Sequence, residues 1–115
     1  MDVHEAGGTG ISLSMPAAPF QIPLGVLLPR GLRGVIVSGR GISATREANG
    51  GARHMATAMA LGQAAGTLGA LAADAGIEPA AVSAALVQER LRGMGAALYP
   101  DECIDRTEAM MAAPR

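Results

Sequence analysis

The sequence predicts an α/β arrangement, and most of that prediction comes from residues 35–66. A short apolar run, Val35 to Val37, reads as a buried strand that ends at Gly39-Arg40-Gly41. An uncharged run from Met55 to Ala73 reads as a long Ala/Gly helix. A polar, glycine-rich connection lies between them. Strand, glycine turn, loop and helix is how α/β proteins build a site at the carboxyl end of a strand.

Taken in order, residues 1–20 read as loop, because Gly7-Gly8-Thr9-Gly10 and Met15-Pro16-Ala17-Ala18-Pro19 break any regular period. Gln21 to Leu28 reads as extended, with Pro23 confining it to a sheet edge or a strand start. Pro29 to Gly34 is turn material, and Val35 to Ser38 is the core strand. Thr45 to Ala48 fits a helical turn that Asn49-Gly50-Gly51 would end. The main helix is expected over 56–74. On one of its faces Gly62 and Gly66 lie four apart, each costing up to about 1 kcal/mol relative to Ala. Packing against another backbone is the commoner reason for such a pair. Gly76 fits a left-handed cap. Pro79 then opens a second helix over 79–92, with an apolar stripe at Val82, Leu86 and Leu91, ended by Gly93 and Gly95. The tail, Asp101 to Arg115, is mixed, with a short helix expected around Glu108.

Composition bounds the class. The chain has 115 residues, room for one domain. Apolar residues make up 50% but aromatics only 2%, so the core is expected to be thin and Ala-rich, as in a piece of a larger fold. The net charge of −1 gives no electrostatic drive towards nucleic acid or acidic membranes. All nine basic residues are Arg, which fits a compositional bias as well as any function. A single cysteine, Cys103, cannot form an internal disulfide or a cysteine metal site. Asp101, Glu102 and Asp105 lack a patterned calcium loop, so no metal site is expected. The acidic, polar start carries no signal-peptide pattern, which gives a cytoplasmic expectation. Met55 to Ala73 is nearly long enough to cross a bilayer, but its Ala, Gly and Thr content and Gln63 suit a helix buried inside a protein.

At Gly39-Arg40 a family enters. The matching residues are Ile22-Pro23, Leu27-Leu28-Pro29-Arg30-Gly31, Ser38-Gly39-Arg40, Ile42-Ser43-Ala44-Thr45, Arg53 and Gly62 to Gly66. Met1-Asp2-Val3-His4 matches a further element upstream. In this order the run resembles the C-terminal FAD-binding segment of a family of FAD-dependent oxidoreductases, over about residues 1–95. The chain departs from the family at Arg46, where a His is usual, and at Gly25, where an Arg is. The family often has Tyr near Phe20 and Leu24, and Pro at the position of Ala56. The family's opening Gly-x-Gly-x-x-Gly turn has no counterpart in these residues.

The resemblance implies the C-terminal fragment of a Rossmann-like FAD/NAD(P)-binding fold: one core strand, the long Ala/Gly helix and a second helix. Residues 1–34 would come from the substrate side, 35–95 would be the C-terminal part of the FAD-binding domain, and 96–115 a tail. FAD is the implied cofactor. A small-molecule substrate is implied, and a second chain could supply the rest of the fold.

Local chemistry agrees with the resemblance. A helix N-terminus exposes unpaired N–H groups and about half a positive charge. Here Ala56, Thr57 and Ala58 would present them to an anion, or to a ring that gains negative charge on reduction. Arg53 precedes that positive end, an unfavourable place for a cation by roughly 0.3–1 kcal/mol unless an anion is near; a solvated loop position is its plain alternative. Gly39 and Gly41 could let backbone approach a cofactor, or simply end a strand. Arg40 suits a phosphate or a structural carboxylate equally. Ile42 joins this cofactor-binding set through the family match, as His4, the candidate proton donor or acceptor, joins through Asp2-Val3-His4. The alternative is a non-enzymatic helical hairpin, 56–74 with 79–92, that pairs with a partner through its Gly/Ala face.

Overall fold

The computed structural model describes residues 2–4, 12–14 and 20–99. In chain order it holds strands β1 (Asp2–His4) and β2 (Ser12–Ser14) and two 3₁₀ turns, Leu24–Leu27 and Gly39–Gly41. Helices α1 (Arg46–Ala52) and α2 (Met55–Ala75) follow, then a 3₁₀ turn at Pro79–Ala81 and helix α3 (Ala84–Gly93). The expected tail helix around Glu108 lies outside the described residues, as do most of residues 1–20.

The spine is α2. Its start is set by His54, which is extended at φ −63° and ψ 146°. Its end is the left-handed Gly76, at φ 63°, whose N–H returns to the Ala72 and Ala73 carbonyls. The next N–H, of Ile77, bonds the Ala72 oxygen at 3.0 Å, so the last carbonyls are satisfied. One face is covered, through Leu61, Thr67, Leu68 and Ala72. The other is open: Met55 and Met59 are 79% and 76% exposed. A helix enclosed inside the protein is therefore not what the described residues form. By length and composition alone, α2 is also long and apolar enough to cross a membrane.

Two small apolar clusters lie along the covered face. Leu68 and Ala72 meet Val82, Val87 and Leu91, which joins α2 to α3 as a helical hairpin. Leu61 meets Leu27, Ile42 and Ala52, which joins α2 to the preceding segments. Leu24, Ile36 and Ala64 touch both clusters and make them continuous. Among the described residues the largest fully buried side chains are Leu27, Leu68 and Val87, each stabilising by about 1.5–3 kcal/mol relative to exposure. The core is as thin as its alanine content implies.

The expected α/β fold with a core strand is not formed. Val35–Ser38 is extended coil, and residues 20–99 contain no strand. The two strands among the described residues pair with each other, antiparallel, with Val3 opposite Leu13. The physical reason is that a strand is defined by its ladder partners, and this segment has no ladder: its backbone bonds are Val37 N–H to the Leu27 oxygen at 2.8 Å and the local turn bond from Gly41 N–H to the Ser38 oxygen at 3.3 Å. Its side chains lie instead along α2. Ile36 Cδ1 is 3.5 Å from where a Cβ on Gly69 would stand, and Ser38 Oγ is 4.0 Å from the same point on Gly62. The segment lies over Gly62 and Gly69 at ordinary contact distance, room that an alanine would also leave, whereas Gly66 between them has nothing within 4 Å.

Three other local expectations change. Gln21 to Leu28 is not wholly extended, since Leu24–Leu27 forms a 3₁₀ turn. Helix α1 runs through Asn49-Gly50-Gly51 rather than stopping there, with Gly50, Gly51 and Ala52 all buried. Pro79 opens only a 3₁₀ turn, because Val82 (ψ 129°) and Ser83 (ψ 132°) are both extended. The α-helix restarts at Ala84. That register turns Val87 and Leu91 towards α2 and leaves Leu86 47% exposed, in place of the expected stripe through Leu86.

Candidate functional site

The predicted site residues lie on four elements, three of which pack on one another while the fourth, β1, packs on α1. The Gly39–Gly41 turn packs against both α1 and α2, and α1 packs against α2. Strand β1, which carries His4, lies against α1. Two residues, Arg53 and His54, connect the end of α1 to the start of α2.

Thr45 starts α1 as an N-cap, its Oγ1 accepting the Ala48 N–H at 3.3 Å. Glu47 stands in the first turn of α1, with its carboxyl held below the ordinary carboxylate range. The causes are a hydrogen bond from its own backbone N–H and then one from Thr45, helped slightly by Arg46. Arg53 closes α1 as its C-cap, half-buried, its N–H donating to the Asn49 oxygen at 3.0 Å. This revises the electrostatics read from sequence. Arg53 does precede the positive end of α2, but it also sits at the negative end of α1, so part of the expected penalty is offset within the chain.

The start of α2 has no side-chain cap. Ala58 N–H bonds the His54 oxygen at 2.8 Å and is not available to a ligand. The N–H groups with no partner inside the helix are those of Met55, Ala56 and Thr57. The donor set is therefore one residue earlier than sequence reasoning placed it: Met55 was missed and Ala58 is spent. Ala56 is exposed and Thr57 half-buried.

Of the turn residues, Gly39 adopts φ 63°, which alone accounts for its glycine. Gly41 is different. It has no positive φ, and a Cβ there would meet nothing within 4 Å, so nothing among the described residues explains a glycine. Arg40 is exposed. Ile42 is only 8% exposed and belongs to the Leu27–Ala52–Leu61 cluster, so its side chain is core and what it offers a site is backbone.

Two surface grooves lie elsewhere. One of about 120 Å³ runs between Leu28–Val35 and Glu78–Ala80. The other, about 400 Å³, is formed by Leu71, Leu86 and Met94 with Glu89 and Arg90. Neither includes a predicted site residue.

The donors, the cations Arg40 and Arg53 and the open position at Gly41 suit an anionic or electron-accepting group that approaches the start of α2. The chain belongs to the FAD-dependent oxidoreductase family, whose family model matches residues 1–91. It is thus a flavin-related oxidoreductase part, with FAD the cofactor that the family's description names. Comparisons with curated proteins and with solved structures return no match.

Proposed function

We propose that this chain forms the part of an FAD-dependent oxidoreductase that places and polarises the flavin ring. The observation that supports the reading best is that the Gly39–Gly41 turn packs on both α1 and α2, the helix whose uncapped start follows the Arg53 end of α1. FAD, when bound, supplies hydride or electron transfer. The chain's own share is electrostatic and positional. Met55, Ala56 and Thr57 N–H groups and the Arg53 cation would stabilise negative charge on the ring side. Gly41 would leave room for close approach, and Arg40 would hold a phosphate or carboxylate. His4 would give or take a proton from a small-molecule substrate.

The 115 residues contain no Gly-x-Gly-x-x-Gly turn, so a strong pyrophosphate grip is not expected from them. A second chain that completes the FAD site fits the open face of α2. The purified chain, titrated with FAD and followed by flavin fluorescence, should bind weakly, and Arg53→Ala should weaken binding further without loss of helicity. Sub-micromolar binding by the isolated chain would overturn the incompleteness, and an Arg53→Ala chain that binds FAD as the native one does would remove Arg53 from the site.

A second reading draws on the α2–α3 hairpin and its exposed Met59 and Leu86: a non-enzymatic interaction module. Visible absorbance separates the two, because such a module would stay colourless with FAD present in the purification.

A further inference from the structure

The ring of Phe20 sits on α1. A Cβ on Gly51 would stand 2.7 Å from Phe20 Cζ, closer than real Cβ atoms come, and 3.0 Å from Cε1, so the ring would have to shift. Gly51 is therefore a seat for this ring, on a helix that runs through two consecutive glycines. Gly51 lies in the last turn of α1. Two residues on is Arg53, the C-cap, and His54 then starts α2. Phe20 is still 53% exposed, so the ring is not there chiefly to fill a core.

We infer that Phe20 is a positioning residue: seated on Gly51, its ring fixes the last turn of α1 and so sets where Arg53 stands beside the first N–H groups of α2. The inference rests on the reading of Arg53 and the start of α2 as the flavin side. Phe20 itself need not touch the cofactor. Its effect passes through one helical turn, whose buried Gly51 and Ala52 hold it against the Leu61 cluster.

Three variants of the full chain test this: Phe20→Ala, Gly51→Ala and the double variant. Gly51→Ala displaces the ring without removing it, and the half-exposed ring can swing aside, so the chain stays folded. Two quantities are read, amide hydrogen exchange and FAD affinity by flavin fluorescence. Phe20→Ala should speed exchange of the 50–57 amides on the order of tenfold and leave the Val87–Leu91 amides of α3 unchanged. Either single variant should weaken FAD binding on the order of tenfold while the thermal midpoint moves little. In the Phe20→Ala background, Gly51→Ala should reverse sign and slow exchange in α1, because alanine is then only a better helix former than glycine. The inference is overturned if Arg53→Ala weakens FAD binding while Phe20→Ala leaves it unchanged, or if Gly51→Ala acts alike in both backgrounds. A native chain that shows no FAD binding, or an Arg53→Ala chain that binds normally, overturns the flavin-side reading and this inference with it.

Discussion

Glu78 accepts the Gly34 N–H on Oε2 at 2.8 Å, joining points 44 residues apart in the chain. Its other oxygen, Oε1, accepts from Arg33 Nε at 3.3 Å. One carboxylate thus ties the turn before the extended segment to the turn that opens the hairpin's second arm. Without that tie, Ile36 and Ser38 would be held against α2 by their own packing and by the Val37 N–H bond to the Leu27 oxygen.

Glu78→Ala should therefore destabilise the chain, by about 1 kcal/mol. The figure is kept low because Arg33 is 85% and Glu78 39% exposed, where ion pairs gain little. Glu78→Gln retains an acceptor for Gly34 and should lose less than half of that. Thermal unfolding measures both, and a Gln variant as unstable as the Ala one would mean that the Arg33 charge, not the backbone bond, is what matters.

Acid should loosen the first turn of α1. The Glu47 carboxyl is held below its usual range, first by its own backbone N–H and then by Thr45. A folded value below the unfolded one means a stabilisation that is fully present above the unfolded value. It is lost as pH falls through the folded one. Glu47→Gln should remove this dependence and flatten the acid limb of an α1-specific signal, such as the Ala48 amide shift followed by NMR. A variant with the native acid limb would assign the transition to another carboxylate.

The thin core makes its few large side chains expensive to truncate. Leu68→Ala, at a fully buried position shared with Val87 and Leu91, should cost about 3 kcal/mol, enough to unfold much of a marginal chain at room temperature. Met59→Ala, at 76% exposure on the same helix, should change stability by about 0.5 kcal/mol or less. Urea midpoints compare them directly. A large loss at Met59 would show that the open face of α2 is covered in solution.

What sequence reasoning could see was local. The uncharged run and Gly76 located α2 to within a residue or so at each end, because a helix is written in contiguous residues and its stop in one φ of 63°. The strand at Val35–Ser38 was not decidable in the same way. Three apolar residues fit a ladder or a helix groove equally, and the partners they meet are distant in sequence, the α2 face at Gly62 and Gly69 on one side and Leu27 on the other. Likewise α1 runs on through its glycines, and the Phe20 ring that sits on Gly51 comes from some thirty residues earlier. Within the site, the start of α2 was legible but its exact donors were not. A shift of one residue at His54 exchanged Ala58 for Met55.

The open face of α2 offers the sharpest test of whether stability or binding shaped it. Gly66 is mid-helix, exposed, and has nothing within 4 Å of a Cβ placed on it. Nothing among the described residues needs a glycine there, and alanine should stabilise the helix by roughly 0.5–1 kcal/mol. Gly76, at φ 63°, provides the contrast: Gly76→Ala should destabilise by about 1 kcal/mol through left-handed strain. If the Gly66 face receives another backbone, Gly66→Ala will raise the thermal midpoint of the isolated chain and weaken its association with a co-expressed partner segment. A gain in stability with association unchanged would mark Gly66 as a neutral relic, and a loss of stability would mean that the face is already packed.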